Sequence, residues 1–258
     1  MSLHDRWLHV ALPGGARVAV TTRDGDASAR PYDGFNLALH VGDDPVRVLA
    51  NRTRLQHELG LRRQPAWLEQ VHGTGVVDAA RLDPAAPPAR ADAAFTRERN
   101  VACVVMTADC LPVVLAAHDG SVVGVAHAGW KGLCGGVIEA LAQAMAVPGR
   151  GLHAWLGPCI GPEHYETGPE IRAAFLAQAG RLQLDTATTE AAFRPVVRHD
   201  GTPGYLCDLY ALARQRLAAL GVRTVTGGEY CTVRDNARFY SFRKAPVTGR
   251  FATLVWTG

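Results

Sequence analysis

Three short stretches of the 258-residue chain place chemically capable side chains where an apolar pattern breaks off. They are Gln70-Val71-His72-Gly73, Thr107-Ala108-Asp109-Cys110 and His127-Ala128-Gly129-Trp130-Lys131-Gly132. Each offers one soft or borderline ligand: His72, Cys110 and His127. Imidazole and thiolate together favour zinc or copper over magnesium or calcium. Three such ligands with a fourth position left over describe a catalytic zinc site rather than a closed structural one. Zinc held by two neutral imidazoles and a thiolate keeps a net positive charge and lowers the pKa of a bound water toward 7. The separations in sequence are too wide to be diagnostic. The same residues also fit two histidines satisfied at turns and an inert buried cysteine. Asp109, beside Cys110, suits either a general acid–base or a brace for a neighbouring turn, since a carboxylate at a buried strand end is expensive without a task or a partner.

The elements that must position these groups can be read in outline. Residues 101–107, 111–117 and 122–127 are continuous apolar runs rich in β-branched residues. Turn residues separate them, as expected for strands buried on both faces. Two of the three motifs sit at the ends of these strands, where ligand crevices form in α/β sheets. Further strands are expected at 17–22, 152–156, 222–226 and 252–256. Helices are expected at 44–59, 133–146, 169–179 and 206–220, the first opened by Asp44-Pro45 and closed at Gly60. Central strands with helices on either side imply an α/β layered sandwich. Pattern alone leaves open whether the sheet is one or two.

Composition sets the outer bounds. Hydrophobic residues make up 48% and charged residues 20%, which excludes disorder, collagen and coiled coil. Lys+Arg 27 against Asp+Glu 24 is too balanced to indicate a nucleic-acid partner. Lys131 and Lys244 are the only lysines, so nearly all the positive charge is arginine, suited to bidentate grip on carboxylate or phosphate. No apolar run reaches the length of a membrane span, and the N-terminus lacks an apolar signal core. With six dispersed cysteines and no C-x-x-C pair, the expectation is a cytoplasmic chain with reduced thiols. The P-loop, dinucleotide-binding and nucleophile-elbow signatures are all absent from the sequence. His164-Tyr165-Glu166 matches half of the zinc-deaminase signature, but Pro158-Cys159-Ile160-Gly161 lacks the second cysteine of the other half. His164 is therefore read as a surface or packing residue.

Taken together, the motifs resemble the laccase-domain or YfiH-like family, also described as multicopper polyphenol oxidases and as purine nucleoside phosphorylases. The resemblance runs through Pro31-Tyr32-Asp33-Gly34-Phe35-Asn36-Leu37, His40-Val41-Gly42-Asp43-Asp44-Pro45, Asn51-Arg52 and Gln70-Val71-His72-Gly73. It continues through Thr107-Ala108-Asp109-Cys110-Leu111-Pro112, His127-Ala128-Gly129-Trp130, Cys231-Thr232 and Ser241-Phe242-Arg243-Lys244. It covers essentially the whole chain and implies one domain, 1–258, with a mixed β-sheet core flanked by helices. It implies His72, Cys110 and His127 as metal ligands, usually for zinc, with copper as the alternative ion. The implied activities are phosphorolysis of adenosine, inosine and 5′-methylthioadenosine, together with adenosine deamination. A purine nucleoside and phosphate are then the expected partners, with no nucleic acid and no membrane; oligomeric state is not legible.

Within that resemblance Arg52, Arg243 and Lys244 are candidates for a phosphate cradle, with Arg23 behind them. Asn36 is a candidate for holding a sugar or base edge. Cys110, His127 and Asp109 are the candidate catalytic groups, and Trp130 can stack a purine or pack its own helix. Cys231 is read as a small buried hydrophobe. Two other readings remain. One is a copper-dependent polyphenol oxidase, for which a single His2Cys set supplies few ligands. The other is a metal-independent cysteine hydrolase editing peptidoglycan precursors, with Cys110 as nucleophile and His127 as base.

Overall fold

The three apolar runs at the middle of the chain form strands whose two faces enter different cores. The computed structural model describes residues 6–258. The first part of the chain carries β1 (Leu8–Ala11), β2 (Ala16–Val20), α1 (Pro45–Glu58), β3 (Leu68–Glu69), β4 (Val76–Asp78), β5 (Ala89–Arg90) and β6 (Ala93–Thr96). The middle supplies β7 (Cys103–Thr107), β8 (Leu111–Ala117), β9 (Val123–Ala128), α2 (Trp130–Gly135), α3 (Val137–Met145) and β10 (Leu152–Leu156). After it come β11 (Glu166–Thr167), α4 (Pro169–Arg181), α5 (Thr186–Ala191), β12 (Phe193–Val197), β13 (Pro203–Cys207), α6 (Leu209–Ala219), β14 (Thr224–Gly227) and β15 (Phe251–Thr257).

Two sheets dominate. One is four-stranded, β1-β2-β15-β7, and wholly antiparallel. The other is six-stranded, β14-β10-β8-β9-β6-β4, and mixed, with parallel pairing only at its two edges. Small sheets, β11-β13-β12 and β3-β5, lie apart from them.

Alternation along β7 explains the layering. Cys103 and Val105 join a core shared with Val114, Ala116, Val123 and Val125 of the six-stranded sheet. Val104 and Met106 point the other way, into a core with Leu55 of α1, Phe35 and Leu37. The outer face of the six-stranded sheet offers Leu111, Val113, Leu115 and Ala126 to Ile138, Leu141 and Met145 of α3 and Leu217 of α6. The result is helix, sheet, sheet, helix, the layered α/β sandwich expected from the strand pattern. Leu111, Leu115, Ile138 and Leu141 are fully buried, each contributing roughly 1.5–3 kcal/mol by removal from water.

Local chemistry sets the ends of several elements. The Asp44 carboxylate accepts from the Val46 amide at 2.9 Å, and Pro45 takes the first helical position of α1. Asp208 caps α6 through the Ala211 amide, so the helix expected over 206–220 begins at Leu209 and its first residues close β13 instead. The helix expected over 133–146 is two helices, because Gly136 adopts a left-handed φ of 100° between α2 and α3. The antiparallel β8–β9 pairing shows that strands buried on both faces need not be parallel.

A candidate metal centre at the crossover between the sheets

Residues 108–110 carry the chain from β7 in one sheet to β8 in the other. The turn is tight, and Asp109 adopts φ 93°, a left-handed conformation unusual for a residue with a side chain. Cys110 sits at its exit. His127 lies near the end of β9, paired in register with Pro112, so it stands across from the start of β8, which Cys110 immediately precedes. His72 arrives from the loop after β3, also with a left-handed φ, of 59°.

The three ligand atoms lie within 4.8 Å of one another, the one such group among the described residues. Cys110 Sγ is 3.9 Å from His72 Nε2, and the two imidazole rings meet edge to face at 4.7 Å between centroids. Tetrahedral zinc places nitrogen and sulfur ligands about 3.5 Å apart, a contraction small for side chains at turns. Gly129 makes room: a Cβ there would stand 2.8 Å from Cys110 Sγ and 3.1 Å from His72 Cδ2.

Asp92, to which no role attached in the sequence, holds the cluster together. It is completely buried. Its Oδ1 accepts from His127 Nδ1 at 2.8 Å and from the His72 amide at 2.9 Å. Its Oδ2 accepts from the Val71 and Gly73 amides at 3.2 and 2.7 Å. Engaging Nδ1 leaves His127 Nε2 as the ligand atom, the usual carboxylate–histidine–metal arrangement. Burial alone would raise the Asp92 pKa, but the hydrogen bond from His127 and those from Gly73 and His72 hold it below the ordinary value. Gln70 anchors the same loop by pairing both amide atoms with the backbone of Met106 on β7, at 2.9 and 2.7 Å.

Electrostatics favour a thiolate. Burial opposes ionisation of Cys110, yet His127 and His72 outweigh it and bring the thiol down to about 6. Burial also disfavours charge on His127, while Cys110 and Asp92 hold its pKa above the ordinary value. A thiolate and two imidazoles, one oriented by a buried carboxylate, form a donor set that fits zinc.

A cavity of about 480 Å³ opens over the cluster. Of the expected residues, Asp109 and Arg243 line it together with the three ligands, and Trp130 does as well. The Asp109 carboxylate accepts from the Thr232 hydroxyl and from the Arg243 amide, so it ties two distant loops to the crossover. Arg243 donates to the Glu166 carbonyl and lies over the Tyr165 ring.

Four expected residues lie elsewhere. Asn36 is fully buried, and its amide donates to Ala38 and Asp43 and accepts from the Ala38 and Arg250 amides. It has no hydrogen-bonding capacity left for a sugar and instead positions Arg250. Arg52 is buried behind β7, donating to the Leu37 carbonyl and stacked 3.9 Å over Trp67, where it lines a different groove. Lys244 is exposed and stands outside the cavity wall. Arg23, expected behind the cradle, is paired with Asp33 and stacked on Tyr240.

The wall also contains Arg250, together with His40 and Phe242, to which sequence reasoning gave no role at the site. Phe242 is 51% exposed, with the Arg250 guanidinium 5.9 Å over its ring. Burial, then Arg250 and Arg52, push His40 below its ordinary pKa, favouring the neutral ring. An apolar residue left half in water beside a cavity was the available signal for Phe242.

The family model described as multi-copper polyphenol oxidoreductase laccase matches residues 17–258. The chain belongs to this family. Among its relatives is a purine nucleoside phosphorylase of Pseudomonas aeruginosa, 48% identical over 253 residues, spanning 97% of this chain and 98% of the relative. The purine nucleoside phosphorylase YfiH of Escherichia coli is 44% identical and covers 95% of both chains. Among solved structures, a Neisseria meningitidis family member superposes with a TM-score of 0.88 at 39% identity, covering 98% of this chain and 100% of that one. YlmD from Geobacillus stearothermophilus gives 0.80 at 29% identity, covering 97% and 96%. These family members span nearly the whole of this chain. No helix among the described residues is long and apolar enough to cross a membrane.

Proposed function

We propose that this chain is a zinc-dependent purine nucleoside phosphorylase acting on adenosine, inosine and 5′-methylthioadenosine, with adenosine deaminase activity. The observation that carries the reading is the His72–Cys110–His127 cluster at a cavity whose wall combines fixed cations with flat apolar side chains. The names of the relatives support the same chemistry. Zinc, when bound, supplies a Lewis acid at the three ligands.

The remaining work falls to the chain's own residues. Arg243 and Arg250 offer fixed positive charge to phosphate, and backbone carbonyls of Glu166, Thr248 and Gly249 hold their guanidinium groups in place. Phe242 and Trp130 line the same cavity and supply aromatic surface for a purine to pack against. Asp109, in the cavity wall beside Cys110, is the candidate proton carrier for the leaving base. Preorganised charge of this kind is what a developing anion needs. The free cysteines suit a reducing, cytoplasmic setting.

A polyphenol oxidase draws on the family's description. Electron transfer of the laccase type calls for further copper ligands beside the His2Cys set, so the phosphorylase reading is preferred. The test is to follow adenosine with and without phosphate on zinc-loaded protein, separating products by chromatography. Adenine and ribose 1-phosphate should appear only with phosphate, and Cys110→Ala should abolish them. Failure to form them, or full activity in Cys110→Ala, overturns the assignment.

A further inference from the structure

A second thiol–imidazole pair lies outside the metal centre. Cys231 Sγ is 3.4 Å from His164 Nδ1 and also accepts the Gly161 amide at 3.2 Å. Both residues line a separate cavity of about 370 Å³, together with Glu163 and Tyr230. The Cys231 amide is itself fixed by Asp235 at 2.9 Å. The sequence reading makes His164 a surface or packing residue and Cys231 a small buried hydrophobe, and Cys231 is buried, at 4% exposure. The structure adds that an imidazole nitrogen and an amide N–H are aimed at its sulfur beside an open space. An imidazole nitrogen within reach of a thiol is the arrangement of a nucleophile paired with its base.

We propose that Cys231 is a modification site, oxidised by small hydroperoxides with His164 as its base. The Cys231 proton passes to His164 as sulfur attacks the outer peroxide oxygen. An S–O bond forms while the O–O bond breaks; sulfur loses two electrons and the peroxide gains them. The departing alkoxide or hydroxide takes the proton from His164, leaving a sulfenic acid and an alcohol or water. Reduction by a small thiol reverses the change. Cys159, paired with Cys231 across an isolated bridge, is a poor resolving partner, because burial pushes its thiol far up.

The site is tied to the metal centre through one residue. Thr232 follows Cys231, donates its hydroxyl to Asp109 and its amide to the Cys159 carbonyl, and Asp109 precedes the ligand Cys110. An added oxygen on Cys231 displaces this segment and loosens the Asp109 brace, weakening metal retention.

The test treats zinc-loaded full-length protein with hydrogen peroxide and dimedone, then maps adducts by peptide mass spectrometry. Cys231 should be labelled about tenfold faster than Cys134, which is half-buried but has no base, since an unassisted thiol is only a few per cent ionised at pH 7. His164→Gln should bring Cys231 down to the Cys134 rate, and Cys231→Ser should remove that adduct. Equal labelling of the two cysteines, or an unchanged rate in His164→Gln, overturns the site; the latter variant carries the test should Cys231→Ser fail to fold. Zinc release to a chelator should quicken several-fold in the oxidised protein, and an unchanged release rate overturns the link to Asp109.

Discussion

Replacing Asp92 by asparagine tests how the candidate metal centre is organised. The side chain keeps its shape but loses its charge and one acceptor. Four donors converge on the carboxylate, two on each oxygen: His127 Nδ1 and the His72 amide on Oδ1, the Val71 and Gly73 amides on Oδ2. With its NH2 group on the Oδ2 side it faces the Val71 and Gly73 amides; on the Oδ1 side it faces the His72 amide, and His127 can accept from it only by shifting its proton to Nε2, the atom a metal needs. At about 1–3 kcal/mol for each buried donor left unmet, one or two of them according to the orientation, the substitution should cost roughly 1–6 kcal/mol of stability. Loss of the carboxylate that orients His127 should also weaken zinc binding by about 10–100-fold. Urea unfolding of the two apoproteins reads the first quantity, and competition with a chromophoric chelator reads the second. A variant within about 0.5 kcal/mol of the parent and with unchanged zinc affinity would refute the argument, because surface substitutions without such a role fall in that range.

Further outcomes follow from the same geometry. Asp92 has a folded-state pKa below its unfolded value of 3.8, so its stabilisation is complete above that value and is lost as pH falls through the folded one; the acid limb of a stability–pH curve should be shallower in Asp92→Asn. Gly129→Ala drives a methyl group to 2.8 Å from Cys110 Sγ and should lower zinc stoichiometry in purified protein while leaving far-ultraviolet circular dichroism unchanged. Arg243→Ala removes a charged donor from the cavity and should raise KM for phosphate by roughly 10–100-fold, from about 1.5–3 kcal/mol for a hydrogen bond to a charged group, with far less effect on KM for the nucleoside. Arg216, 3% exposed, donates to Glu139 at 2.8 Å and to the Cys134 carbonyl at 2.8 Å, clamping α6 to α2 and α3. Arg216→Ala should cost up to roughly 3 kcal/mol in denaturant unfolding, at the low end for a broken buried pair because the Glu139 side chain is 28% exposed.

Much of the fold was legible because burial on two faces leaves a continuous apolar run, as in β7, β8 and β9. The strands that escaped notice lack that signature. Strand β6 is Ala-Ala-Phe-Thr, too small and too poor in β-branched residues to stand out, yet it pairs with β9 in the middle of the six-stranded sheet. Strands β12 and β13 pair outside the main sheets and show mixed exposure. Asp92 shows the same limit at the site: one carboxylate ahead of an apolar run resembles any other, and its four donors come from the loop at 71–73 and from β9.

The central strands and the layered α/β class were determined by the sequence alone, because periodicity fixes burial; His72, Cys110 and His127 were singled out by residue type at the ends of apolar runs, and grouped as a ligand set only by the resemblance. Tertiary structure decided how the strands divide between two sheets, that Asp92 braces His127 and the His72 loop, and which cations face the cavity. Arg243 and Arg250 face it; Arg52 does not. The physical reason is that a guanidinium's partners are set by whatever long-range packing brings near it. For Arg52 those are the Leu37 carbonyl and the Trp67 ring, both outside its own helix and reached only when the chain has folded.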